Sequence, residues 1–395
     1  MSPVPAIALD DYFEGAWLER VKRQNTPLMG TIELSFRCNV RCQHCYVTYN
    51  VEPDNRELDT GELRRILDEI SAAGCLWLLF TGGEPFLRPD FLDLLAHAKR
   101  RGLLVTIFTN GTLLDEDTVA RLAEWPPHRL EITLYGMPEE TYERVTRRKG
   151  SWRRCLDGID RLLAAGLPLR LKAVLMEDNQ HELPAMRAFA RERGLRFAHD
   201  ANINSRIDGN RAPCSLRVEP EQVLEIEEAI DPGLAARWRG LQSATARGLA
   251  RAEEENRLFH CGAGIHSFWI DPYGRLQLCG LTRRNHYDLR RGNFAEGYFV
   301  HLPRLRNRPA SPGYECARCD LLSACGQCPG MAELEHGDPE KRVDYLCRLT
   351  HARAARYGLR HERCGCPSCE LVETGAWSGA DPSGSGCGGS CGCGH

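Results

Sequence analysis

Between residues 31 and 200, short apolar runs alternate with stretches whose apolar residues recur every three or four positions. The runs Thr31–Phe36, Leu76–Thr81, Leu103–Thr109, Arg129–Tyr135, Pro168–Met176 and Arg196–His199 predict strands. The intervening Thr60–Ala73, Asp90–Arg101, Asp115–Ala123, Arg153–Ala165 and Gln180–Arg193 carry the helical period. Strands separated by helices pair in parallel through right-handed crossovers. The predicted fold class is therefore α/β: a partial, open, TIM-like (β/α)6 barrel.

After the barrel the pattern changes. Residues 219–258 are polar and helical with Pro220 near the start, and read as a linker. Residues 259–355 hold paired cysteines, short apolar runs and a Tyr273-Gly274 turn, with too little periodic apolar pattern for a large core. Bound metal is expected to supply much of that region's stability. From Ser378 the chain is rich in Gly, Ser and Cys, a composition that forms no packed core without metal. The expected organisation is an N-terminal extension (1–30), barrel (31–218), linker (219–258), small Cys-rich domain (259–355) and tail (356–395).

Composition narrows the function. Hydrophobic residues make up 42% of the 395 and charged residues 27%, a globular balance. A formal net charge of −3 lacks the basic excess of a general nucleic-acid binder, so no nucleic-acid partner is expected. No apolar run approaches the ~20 residues that span a bilayer. Met1–Leu9 lacks the order of a secretion signal. A cytoplasmic protein with no membrane partner is expected.

The chain has nineteen cysteines. In a reducing cytosol such a number points to metal rather than disulfides. Three lie within Cys38–Cys45, six within Cys261–Cys328 and six within Cys364–Cys393. Cys75 and Cys155 are expected as small core residues.

Cys38, Cys42 and Cys45 directly follow the first predicted strand, in CxxxCxxC spacing. Three thiolates so placed can hold three irons of a 4Fe–4S cluster and leave the fourth open to chelate a small molecule. A zinc site would need a fourth ligand nearby, and His44 is the local candidate. The second strand runs into Thr81-Gly82-Gly83-Glu84-Pro85, where two glycines let a ligand approach the backbone. Thr109-Asn110-Gly111 ends the third strand and Thr133-Leu134-Tyr135-Gly136 the fourth.

These motifs resemble the radical S-adenosylmethionine (SAM) enzymes, whose signature is CxxxCxφC with φ occupied here by His44. The resemblance implies that the open iron binds the amino and carboxylate groups of SAM. It further implies SAM contacts from His44, Gly82, Gly83, Glu84, Pro85, Asn110 and Thr133. Thr133 and Tyr135 stand where many relatives carry Ser and Asp. Cys261, Cys279, the Cys316-x2-Cys319-x5-Cys325-x2-Cys328 run and Cys347 resemble the SPASM extension of the same enzymes, which holds two auxiliary 4Fe–4S clusters. The spacing before Cys328 is one residue shorter than the usual pattern. By this resemblance Cys316, Cys319, Cys325 and Cys347 ligate the outer cluster, and Cys261, Cys279 and Cys328 the inner one. A fourth inner ligand is not evident: His260 and Cys214 are candidates, or the iron is open. A zinc ribbon over Cys316–Cys328 is the alternative, and it would leave Cys279, Cys328 and Cys347 without a shared purpose. Sulfatase-maturating relatives carry Asp directly after the cysteine matching Cys279; Gly280 stands here and argues against that dehydrogenation chemistry. The resemblance does not explain Cys364–His395, which holds enough thiols for further metal or a flexible thiol arm.

The function the resemblance implies is reductive cleavage of SAM to a 5′-deoxyadenosyl radical that modifies a ribosomally made precursor peptide, through a thioether or carbon–carbon crosslink. Partners would be the precursor peptide, a flavodoxin- or ferredoxin-type reductant and a separate peptide-recognition protein. The barrel begins at about residue 31, which leaves no room for a recognition domain before it, so leader recognition is expected to need that separate protein or another surface. Two alternatives stay open: a small-molecule enzyme acting on a tetrapyrrole side chain or an alcohol, and a non-catalytic iron–sulfur carrier or scaffold.

Overall fold

The computed structural model describes residues 16–48, 56–231, 233–238, 257–322 and 325–359. Helix α1 (Ala16–Arg23) leads into six parallel strands: β1 (Met29–Glu33), β2 (Trp77–Thr81), β3 (Leu104–Thr109), β4 (Arg129–Thr133), β5 (Leu169–Val174) and β6 (Arg196–Asp200). Between them run α2 (Thr60–Ala72), α3 (Phe91–Arg100), α4 (Glu116–Glu124), α5 (Glu139–Thr146), α6 (Ser151–Ala164) and α7 (Leu183–Glu192). This is the partial (β/α)6 barrel that the alternation predicts. All six strands and five of the helices fall where the sequence places them, within a few residues at the ends. The sixth helix, α5, was not expected.

The two faces of the strands differ. Leu78, Phe80, Val105, Ile107, Ile132 and Leu171 point toward the helices and are fully buried, forming the core. On the other face Thr106, Phe108, Lys172 and Val174 are only half-buried, as expected of an open barrel whose interior is a site. Local chemistry fixes the helix starts. At α2, Asp59 accepts from the Glu62 N–H while the Glu62 carboxylate accepts from the Asp59 N–H, satisfying two orphan donors.

The Cys-rich part does not build a separate sheet. Strand β7 (Ser267–Ile270) pairs in parallel with β1, and β8 (Arg275–Gln277) and β9 (Tyr287–Asp288) follow antiparallel. The result is one nine-stranded sheet of order β6-β5-β4-β3-β2-β1-β7-β8-β9. The expected Tyr273-Gly274 turn joins β7 to β8, with Gly274 at φ +85°. Helical turns from Phe294 to Arg306 then lead to α9 (Pro329–His336) and α10 (Asp344–Tyr357).

Of the expected linker, α8 (Pro220–Ile230) lies against α10, tied by Arg353–Glu227 and Arg356–Glu228 pairs. Residues 239–256 of that linker and the cysteines of the tail (Cys364–His395) lie outside the described residues. Among the described residues no helix is long and apolar enough to cross a membrane.

Candidate functional site

The loop after β1 and the loops at the C-terminal ends of β2 to β6 enclose a cavity of about 240 Å³. Cys38, Cys42, His44 and Cys45 form one wall, and Gly82 and Gly83 another. Asn110, Thr133, Tyr135, Lys172 and the Asn202–Asn204 segment complete it. Of the residues expected to contact a cofactor, the structure brings His44, Gly82, Gly83, Asn110 and Thr133 to this space. Glu84 and Pro85 lie behind the wall.

The glycines answer to the backbone as well as to a ligand. A Cβ on Gly82 would sit 2.4 Å from the Ser35 carbonyl oxygen, and one on Gly83 2.1 Å from that of Arg37. The Gly83 N–H donates to Ser35 and the Glu84 N–H to Arg37, at 2.7 and 2.9 Å. The Gly-Gly-Glu turn is thus fastened to the start of the cysteine loop. Glu84 extends the fastening: its carboxylate accepts from the Asn110 N–H and the Thr109 hydroxyl, both at 2.8 Å, and from the Phe86 N–H. Burial pushes its pKa up to about 7, against those hydrogen bonds. Asn110 completes the bracing, donating to Asn39 at 2.8 Å and pointing its amide at the Cys38 sulfur.

Burial pushes the Cys38 thiol up to about 12 and Cys42 further, with neighbouring cysteines adding to each. Metal-free, all this favours the thiols; cationic iron reverses it by taking the proton's place. Tyr135, in the place of the family's Asp, hydrogen-bonds the Cys42 thiol. The His44 ring lies 5.3 Å from that of Tyr135; burial lowers its pKa to about 4, and its Nδ1 has no partner among the described residues.

A second cavity, of about 30 Å³, is lined by Cys316, Cys319, Cys325 and Cys347 together with Leu321 and Leu322. Cys261, Cys279 and Cys328 gather nearby: the Cys328 thiol is pushed up to about 11 by burial first, then by Cys279 and Cys261. Cys214 sits apart from this trio, beside Arg217, Glu335 and Arg211. Among the described residues no three His, Cys, Asp or Glu side chains are arranged to hold a single metal ion. A cubane cluster asks for a different arrangement, because each thiolate bonds its own iron and the sulfurs ring a volume. Cys75 and Cys155 are buried core residues, as expected. At Gly280 a Cβ would sit 2.7 Å from the Trp269 indole, leaving no room for a carboxylate there.

The cysteine loops are joined through one buried group. Glu33, at the end of β1, is fully buried; it accepts from the Tyr46 hydroxyl at 2.7 Å and from Arg283 at 2.9 and 3.2 Å. Tyr46 follows Cys45, and Arg283 lies four residues past Cys279. Sequence reasoning did not single out Glu33, Tyr46, Arg283 or Lys172.

Residues 32–190 match the radical SAM superfamily. An AdoMet-dependent heme synthase from Methanosarcina barkeri is 31% identical over 334 residues, 80% of this chain and 94% of that protein. The chain belongs to the radical SAM superfamily. Its cofactors are S-adenosylmethionine and a 4Fe–4S cluster. A PqqA peptide cyclase from Granulibacter bethesdensis is 34% identical over 178 residues, 45% of this chain. The chain spans about half the length of that cyclase, 48%. Among solved structures, Streptococcus suis SuiB bound to precursor peptide SuiA superposes with a TM-score of 0.64 at 20% identity, covering 84% of this chain and 79% of that one. That likeness shows the radical SAM fold extending through the Cys-rich region.

Proposed function

We propose that this radical SAM chain modifies a peptide substrate. The observation that carries the chemistry is the shared cavity of Cys38, Cys42, Cys45, Gly82 and Gly83 at the strand ends. The three cysteines hold the catalytic cluster. His44, Asn110 and Thr133 line the SAM position, and Gly82-Gly83-Glu84-Pro85 fixes the turn that shapes it. Cluster and SAM together supply a 5′-deoxyadenosyl radical that takes a hydrogen atom from substrate. The chain's own part is to hold the reacting carbon close and to exclude water and oxygen. Cys316, Cys319, Cys325 and Cys347 hold an outer auxiliary cluster, and Cys261, Cys279 and Cys328 an inner one. A flavodoxin- or ferredoxin-type protein in the cytoplasm is the reductant.

Identity to peptide cyclases over 178 and 206 residues supports a peptide substrate. A second reading, modification of a tetrapyrrole side chain, is supported by the full-length match to the heme synthase. The test is anaerobic reconstitution with SAM and dithionite. About twelve irons, falling to about eight in a Cys38→Ala/Cys42→Ala/Cys45→Ala variant with loss of 5′-deoxyadenosine, are expected for three clusters. Mass spectrometry of products from a precursor peptide and from iron coproporphyrin III then separates the readings. Zinc in place of iron, with no 5′-deoxyadenosine, overturns both.

A further inference from the structure

Of the residues lining the main cavity, Lys172 alone carries a cationic or carboxylate side chain. It stands on β5 opposite Thr133 of β4 and Ala198 of the edge strand β6. Its side chain is 20% exposed, and its ammonium lies over the face of Phe108, another cavity residue. One layer deeper on the same strands, Glu131 faces Arg170 across the ladder. Three cations share that one carboxylate: Arg129 at 3.4 Å, Lys172 at 3.6 Å and Arg170 at 4.0 Å. Among the described residues no other carboxylate pairs with any of the three. The barrel wall below the SAM position therefore holds more positive than negative charge, and Lys172 is the member that reaches the cavity.

On the family resemblance, the open iron would take the amino and carboxylate groups of SAM, so Lys172 would remain for a group of the substrate. Within the protein, the charges that act on Lys172 are those of Glu131 and Arg170.

We infer that Lys172 anchors a substrate carboxylate beside the SAM position. On a peptide substrate that carboxylate is the side chain of an Asp or Glu residue. This inference rests on the peptide-modifying reading and names the residue such a peptide must carry. Burial lowers the Lys172 pKa to about 7, and a bound carboxylate would restore its proton.

The test uses the reconstituted holoenzyme with SAM. The probes are acetyl-Gly-Glu-Gly-amide, its Gln counterpart and coproporphyrin III, titrated anaerobically by calorimetry, with 5′-deoxyadenosine formation measured on the same samples. The Glu peptide is expected to bind roughly tenfold to a hundredfold more tightly than the Gln peptide, the range of a charge-assisted hydrogen bond. Lys172→Met should erase that preference and Lys172→Arg restore most of it, with iron content and the effect of SAM on the cluster's EPR spectrum unchanged.

Equal binding of the two peptides, or a preference that survives Lys172→Met, overturns the inference. So does loss of the SAM-induced EPR change in Lys172→Met, which would give the lysine to the cofactor. Binding of coproporphyrin alone, dependent on Lys172, overturns the peptide source. If SAM cleavage proceeds while no Glu preference exists, only this inference fails; if SAM is not cleaved, the reading beneath it fails.

Discussion

The barrel and the Cys-rich region solve the same problem with different means. The barrel buries one continuous apolar layer between strands and helices, from Ile32 and Phe80 to Leu171 and Met186. Beyond β9, Phe294, Tyr298, Leu302, Leu349 and Tyr357 still join that layer, and the other buried apolar groups form small sets, such as Met331, Ala332, Val343 and Leu346, or Leu321, Ala354 and Leu359. What stands between those sets is sulfur: the four cysteines around the smaller cavity. One region is held by area removed from water. The other buries less of it, and the proposed auxiliary clusters would add thiolate–metal bonds.

The strongest test of that contrast is to take the metal from one side. Cys316→Ala/Cys319→Ala should lose about four irons and all slow amide exchange over residues 315–350, while exchange in β1 to β5 stays slow. If the barrel strands lose protection as well, the two regions stand or fall together.

The reverse experiment is Phe80→Ala. Phe80 is fully buried on β2, edge-to-face with Phe91 at 5.9 Å. Its loss should cost about 3–5 kcal/mol in anaerobic urea unfolding of the barrel, with the auxiliary iron retained.

Arg283→Met probes the tie between them. It leaves the Glu33 carboxylate buried with Tyr46 alone, and should cost about 3 kcal/mol. The expected signature is a drop in both the barrel's urea midpoint and the Cys-rich region's exchange protection. An effect confined to one region would show that Glu33 does not couple them.

The smallest effect concerns pH. Between pH 7 and the ordinary lysine value of 10.5, the unfolded chain holds a proton on Lys172 that the folded chain has released. Stability therefore rises with pH across that window, by at most about 1.4 kcal/mol per pH unit. Lys172→Met should remove this slope, and unchanged pH dependence of the urea midpoint would count against a depressed Lys172.

The barrel was legible because each element carries its own period. Helix α5 was passed over because Glu139–Thr146 sits directly after the Tyr135-Gly136 turn, and its buried face, Tyr142 and Val145, is short. The cysteines are conspicuous by their spacing; Cys38, Cys42 and Cys45 line one cavity and Cys316, Cys319, Cys325 and Cys347 the other. The rest of the site was hidden for a definite reason. Lys172 alternates with Leu171 and Ala173 like any solvated strand position, and only barrel curvature turns that outward face into an interior. Glu33 and Arg283 are 250 residues apart, and nothing local to either predicts the pairing. For Gly82 and Gly83 the motif pointed to ligand approach; the structure adds that the Ser35 and Arg37 carbonyl oxygens already occupy the space a side chain would need.

The parallel pairing of β7 with β1 bears on how this architecture can be cut and rejoined. β1 delivers the cysteine loop, and it lies between β2 and β7 with both edges hydrogen-bonded. A truncation ahead of Ser267 would strip one edge of the strand that positions the catalytic thiols, leaving a bare template for strand pairing between molecules. Swapping the Cys-rich part between relatives is therefore a graft onto a shared sheet. The register Met29 to Ser267 through Ile32 to Ile270 is the seam such a chimera would have to preserve.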